Sequence, residues 1–291
     1  MKIVYHMGAH GTEEDLILRV LLRNRPRLST LGIAVPPPSR YRQVLIEAIR
    51  NLRGAPASPE MQEMLLDTIV EDEKPERIIL SFENFLATPG NAIGQSGLYP
   101  FAGERPQFFA NVFPDSESEF HMALKHPAAL LHTLLQRQPG RSYDEVMANI
   151  DPLTLRWAPV VRRMLAGAGR NRLVLWCNED APLIWPEVIR RLCGVSPEVP
   201  ILGNVALLAR LLATEGLDWL NQQAQANPPA TIGARRALVT EALERYVNED
   251  EITVPLAFPG WDEALMARLD RSYDADVAEI AALPGVEFIA P

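Results

Sequence analysis

The stretch "YHMGAHGTEED", residues 5–15, holds the residue types that could do chemistry nearest the start of the chain. An apolar pentad, Met1-Lys2-Ile3-Val4-Tyr5, runs into a turn carrying Gly8 and Gly11, and a helical pattern follows. That is the layout of a strand, a phosphate-cradling loop and a helix whose N-terminus attracts an anion. Yet the positions that ordinarily supply a lysine and small hydroxyl residues hold Gly11, Glu13, Glu14 and Asp15. Acidic side chains in a first turn satisfy the orphan N–H groups and the helix dipole themselves, and they repel a phosphate. The loop therefore reads as a helix start capped by its own carboxylates. His6 falls in strand register, as a hydrogen-bonded core histidine, and His10 stands at the loop tip. His10 with Glu14 or Asp15 has the right atoms for a metal but not the spacing, and no metal is expected.

Two further polar tips end apolar runs. In "RIILSFENF" (residues 77–85) Glu83 is placed to serve either as a base or as the cap of the following turn. In "EFHMALKHPAALLHT" (residues 119–133) Lys125 leaves a strand, and Thr133 lies eight residues on, in the helix after Pro127. Lys125 reads either as an anion ligand or as an exposed strand-exit lysine. Arg40-Tyr41-Arg42 reads as surface decoration or as a clamp for an anionic acceptor.

Together these tips resemble the sulfotransferase family, whose donor is 3′-phosphoadenosine 5′-phosphosulfate (PAPS). Bacterial members carry a first loop of the form H-x-G-x-H-K-T-G-T-T. His6, Gly8, His10 and Thr12 fit it, Gly11 stands in place of the lysine, and Glu13, Glu14 and Asp15 depart from it. The family's strand-end Arg and the Ser eight residues later, which hold the 3′-phosphate, are matched here by Lys125 and Thr133. The resemblance implies Gly8, Gly11, Thr12, Lys125 and Thr133 as cofactor-binding residues and Glu83, with His10, as catalytic ones. It implies a small-molecule or saccharide acceptor. It spans residues 1 to 195.

Sulfuryl transfer needs cations or donors where the leaving phosphate gains charge. Without the loop lysine two functions stay open. One is a sulfotransferase-like protein with lost or weakened PAPS binding and a non-catalytic ligand- or partner-binding role. The other is an active sulfotransferase moving a sulfuryl group to a hydroxyl or amine. The reading further implies that Gly11→Lys, with Glu13→Gly, Glu14→Thr and Asp15→Thr, restores the donor site. Nucleotide kinase chemistry is disfavoured, because no G-x-x-x-x-G-K-[ST] pattern occurs.

These tips need a scaffold that brings strand ends together. Short apolar runs predict strands at 2–6, 78–81, 120–124 and 173–176, and helical periods separate them. Parallel pairing with right-handed crossovers follows. The expected fold is a three-layer α/β core over residues 1–200, P-loop NTPase- or sulfotransferase-like, with a mainly helical extension over 201–291, all in one domain. The first helix is expected over 13–31, with others through Val44, Leu45, Ala48 and Leu52 and over 61–70. Pro36-Pro37-Pro38 reads as a stiff surface segment, "ATPGNAIGQSG" as an exposed loop and "PGVEFIAP" as an extended tail. The five tryptophans read as packing.

The 291 residues are 47% hydrophobic and 22% charged, enough for a sizeable core. A net charge of -9 argues against a nucleic-acid partner, which needs a clustered positive footprint. No apolar run reaches the roughly 20 residues of a membrane span. Cys177 and Cys193 read as buried reduced thiols of a cytoplasmic protein.

Overall fold

The computed structural model describes residues 1–70, 75–252 and 257–291. The elements run β1 (Lys2–His6), α1 (Glu14–Ser29), β2 (Ile33–Ala34), α2 (Pro38–Leu52), α3 (Pro59–Ile69) and β3 (Arg77–Ser81). A small hairpin, β4 (Ile93–Gly94) and β5 (Gly97–Leu98), precedes α4 (Arg105–Ala110), β6 (Glu117–Leu124) and α5 (Pro127–Gln136). Then come α6 (Tyr143–Met147), α7 (Trp157–Ala168), β7 (Arg172–Cys177) and α8 (Ala181–Cys193). The chain finishes with α9 (Leu208–Leu211), α10 (Thr214–Ala226), α11 (Ile232–Tyr246), α12 (Glu249–Ile252), α13 (Glu263–Ala281) and β8 (Val286–Ile289).

β2, β3, β1, β6, β7 and β8 form one sheet in that order, with every neighbouring pair parallel. All four predicted strands are present and parallel. A strand buried on both faces sends alternate side chains into two cores. Ile3 and Tyr5 join Ile78, Leu80, Phe120 and Met122 on one face, while Val4, Ile79, Ala123 and Trp176 pack on the other. Helices cover both faces, giving a three-layer α/β fold. Parallel pairing holds the strand ends, and the loops that leave them, on one side of the sheet. No helix of the described residues is long and apolar enough to cross a membrane.

Several expectations need correction. α1 spans Glu14–Ser29, short of the expected 13–31. Pro36 is buried, and Pro38 opens α2, where its missing N–H costs nothing. "ATPGNAIGQSG" folds onto the core as the β4–β5 hairpin, with Ala87, Ala92 and Ile93 buried. The extended tail becomes β8, an edge strand on β7. Tyr41 is not surface decoration. It is buried, and its hydroxyl donates to Ser81 O at 2.7 Å and accepts from Ser81 N–H at 3.0 Å. Arg42 lies 4.3 Å over the Phe82 ring.

Other expectations match. Trp157, Trp176 and Trp185 are fully buried. Both cysteines are free and buried, and burial pushes each thiol up to about 12. His6 is a core histidine whose Nδ1 lies 2.8 Å from Ser81 Oγ.

His6 and His121 are register partners on β1 and β6, and both are fully buried. Burial pushes His6 down to about 3 and His121 to about 4, from an ordinary 6.5. Each folded value lies below the unfolded one. At pH below 6.5 the unfolded chain therefore binds protons that the native core refuses, and stability falls as pH falls towards 4. Each histidine contributes a slope of about 1.4 kcal/mol per pH unit. Urea unfolding is expected to show about 2–4 kcal/mol less stability at pH 5 than at pH 7. Equal stability at the two pH values would mean that these rings are not held neutral in the core.

Candidate functional site

The loop between β1 and α1 turns at two glycines, each with a positive φ. Gly8 has φ 81°, and a Cβ there would meet Glu83 Cα at 2.8 Å. Gly11 has φ 71°, and a Cβ there would meet Thr133 Cγ2 at 2.7 Å and Lys125 Nζ at 3.1 Å. Only glycine combines that backbone with that approach. The three polar tips are thus pressed together: Gly8 against Glu83, and Gly11 against Thr133 and Lys125. Thr12 is buried and turns inward, donating to Ala9 O at 2.7 Å.

Lys125 leaves β6 and folds back over the loop. Its Nζ donates to Gly11 O at 2.8 Å and to Thr133 Oγ1 at 3.1 Å. Thr133 Oγ1 in turn donates to Ala129 O one turn back, at 3.0 Å. Burial lowers the Lys125 ammonium from its ordinary value; the charges of Glu179 and Glu13 oppose this, while those of Arg137 and Arg210 add to it. Of the two sequence readings, neither an exposed lysine nor an open anion ligand describes it. Two of its three donors are engaged within the protein.

His10 does not stand at a loop tip. It is fully buried and lies parallel to the Tyr99 ring, with centroids 5.9 Å apart. The Tyr99 hydroxyl accepts from His10 N–H at 3.3 Å and lies 2.9 Å from His10 Nδ1, while Nε2 lies 3.2 Å from Asn84 Oδ1. This network assigns the proton to Nε2, donating to Asn84, and makes Nδ1 the acceptor. Burial lowers the His10 value; the nearby Glu83 charge and the Asn84 hydrogen bond oppose that shift. With both nitrogens engaged, His10 fixes the loop.

Glu13 and Asp15 behave differently from expectation, and the Glu14 side chain lies outside the described residues. Glu13 has φ 61° and its side chain does not cap α1. Its carboxylate instead meets Arg210 of α9 in a two-pronged pair, both contacts at 2.5 Å. Glu83, at the start of a short 3₁₀ turn (Glu83–Phe85), is ion-paired with Arg137. Asp15 and Arg19 stay exposed on α1, where Arg19 Nε donates to Asp15 O at 3.3 Å.

These groups line a cleft of about 280 Å³, whose charged walls are Glu13, Asp15, Arg19, Glu83, Arg137 and Arg210. Three carboxylates and three guanidiniums balance there, and two of the pairs are closed in direct contact. Sequence reasoning missed Arg137 and Arg210. Arg137 lies four residues past Thr133, on the same face at the end of α5, so helical spacing carries a signal for it. Arg210 reaches the loop from 197 residues away, and no local pattern announces it.

The residues assigned to PAPS are those of the loop and the strand-exit pair, Lys125 and Thr133. Here the pair touches the loop, and the lysine already serves a loop carbonyl. A Cβ at position 11 would meet Thr133 Cγ2 at 2.7 Å, so a lysine there requires Thr133 to shift.

No family model matches this chain, and no curated protein does. Among solved structures, a sulfotransferase from Alicyclobacillus acidocaldarius is similar at 15% identity, covering 83% of this chain and 98% of its own, with a TM-score of 0.39. A likeness that distant carries no functional argument.

Proposed function

We propose that this chain is a sulfotransferase-like α/β protein whose nucleotide site is closed from within, and that it acts by binding rather than by sulfuryl transfer. One observation carries this reading: the 2.8 Å hydrogen bond from Lys125 Nζ to Gly11 O. It joins the two halves that would have to grip opposite ends of the donor. The carboxylate best placed as a base, Glu83, is bound to Arg137, and both nitrogens of His10 are engaged. Calorimetry with PAPS and with adenosine 3′,5′-bisphosphate is expected to give no measurable heat of binding. A dissociation constant near or below 1 µM, roughly -8 kcal/mol, would overturn the reading.

A second reading is an active sulfotransferase with a hydroxyl or amine acceptor, such as a saccharide. It is favoured by the three arginines of the cleft, whose guanidiniums are donors beside a loop that lacks its lysine. The two readings part on one variant. Glu13→Gln with Glu83→Gln frees Arg210 and Arg137 from their carboxylates. If the cleft is a latent donor site, that variant gains affinity for adenosine 3′,5′-bisphosphate. If the contact between Lys125 and the loop closes the site, the variant stays silent, and that is the expected result.

A further inference from the structure

Far from the loop in sequence, α8, α10 and α11 enclose a second cavity of about 410 Å³, within the size range of small-molecule sites. α11 turns Ile232, Arg235, Leu238 and Val239 towards it, a spacing that puts all four on one helical face. Leu208 of α9 and Leu220 of α10 complete an apolar wall. Ile232 and Val205 at its edge are 53% and 41% exposed, unusually open for large apolar side chains.

The polar groups in this cavity are few and unequally satisfied. Arg235 is occupied: its Nη2 donates to both oxygens of Glu187, at 2.7 and 2.9 Å, and to Leu183 O at 2.8 Å. Arg190 is not. Among the described residues no carboxylate pairs with it, and its contact to Pro186 O is a long 3.5 Å. Its Nε is buried with no hydrogen-bond partner. Asn204, on the same wall, has its Oδ1 buried and unpartnered too. A buried unpaired donor on a charged group is costly, and proteins rarely leave one without a use.

We propose that this cavity binds a straight-chain monocarboxylate, with its alkyl tail along Leu208, Leu220, Ile232 and Val239 and its carboxylate on Arg190. The match is one of charge and shape. Arg235 is paired with Glu187, which Arg236 also approaches at 3.6 Å, so Arg190 is the cavity-lining cation without a carboxylate among the described residues. The amide of Asn204 can turn to present Nδ2 to the second carboxylate oxygen. The apolar wall takes the tail, whose burial supplies most of the affinity.

The test titrates the full chain by calorimetry with decanoate and with decanol, below the concentrations at which either aggregates. One decanoate is expected to bind per chain, at least tenfold tighter than decanol. Arg190→Gln should remove that preference and leave decanol binding unchanged. Ile232→Asp, a change at an exposed side chain, should weaken decanoate at least tenfold without unfolding the protein, which decides the matter if Arg190→Gln fails to fold. The proposal is overturned if neither compound binds saturably, if both bind equally, or if Ile232→Asp leaves decanoate affinity intact. Light scattering that shows a dimer broken by Ile232→Asp, without decanoate binding to the wild type, would assign the cavity to a second copy instead.

Discussion

Replacing Glu119 by alanine is expected to cost about 3–5 kcal/mol of folding stability. The Glu119 side chain on β6 is 1% exposed, and four groups converge on it. Arg77 Nη2 donates to it at 2.7 Å, Arg191 Nη1 at 3.0 Å and Lys2 Nζ at 3.0 Å, while His121 Nε2 lies 3.4 Å away. Burial alone would raise its pKa, but the hydrogen bonds from His121, Arg191 and Lys2 and the charge of Arg77 hold it well below the usual carboxylate range. The stability it contributes is present above the unfolded carboxylate's value and is lost as pH falls below it.

Alanine leaves Arg77 as a nearly buried cation, with only the Leu192 and Arg191 carbonyls as acceptors. Arg191 keeps a second carboxylate, Glu287, at 2.5 Å. The double change Glu119→Met with Arg77→Met should therefore recover much of the loss, because it removes both charges together. Denaturant unfolding measures all three proteins. A cost under 1 kcal/mol for Glu119→Ala would mean that water reaches this network freely.

Gly11→Ala is expected to cost about 2–5 kcal/mol. An alanine at φ 71° pays roughly 1–2 kcal/mol for the left-handed backbone, and a Cβ placed 2.7 Å from Thr133 Cγ2 adds the overpacking cost of about 1–3 kcal/mol. Adding Thr133→Ser deletes the methyl group in conflict while keeping the hydroxyl that receives Lys125. The double variant should regain the packing share and keep the backbone share. If Gly11→Ala is neutral, the loop and α5 are not in contact, and the reading of a closed nucleotide site falls with it.

How far the sequence spoke depended on the range over which each feature is encoded. The central strands were legible because Ile78, Ile79 and Leu80, or Phe120, Met122 and Ala123, are local apolar runs between helical periods. β2 was not, since two residues at a sheet edge carry no period. The glycines of the loop were legible as turns, but not the reason for Gly11, which lies in a methyl group of α5. His10 was read as a tip because nothing near it in sequence reveals Tyr99, 89 residues on. The acidic run was read as a cap because helix starts attract carboxylates locally. Arg210 outcompetes that local preference for Glu13, and its approach is set by the tertiary fold alone.

The place of β1 in the sheet also bears on how the chain reaches this structure. β1 sits between β3 and β6, so Lys2 finds one partner at Arg77 and the other at Glu117. Parallel neighbours cannot be supplied by a tight turn, and each closure spans a long stretch of chain before any contact rewards it. During synthesis β1 must wait through some seventy residues for one neighbour and well over a hundred for the other. Until then its apolar faces, Ile3 and Tyr5 on one side and Val4 on the other, have no sheet to join. Its refolding from denaturant is expected to be slow and prone to aggregation as concentration rises.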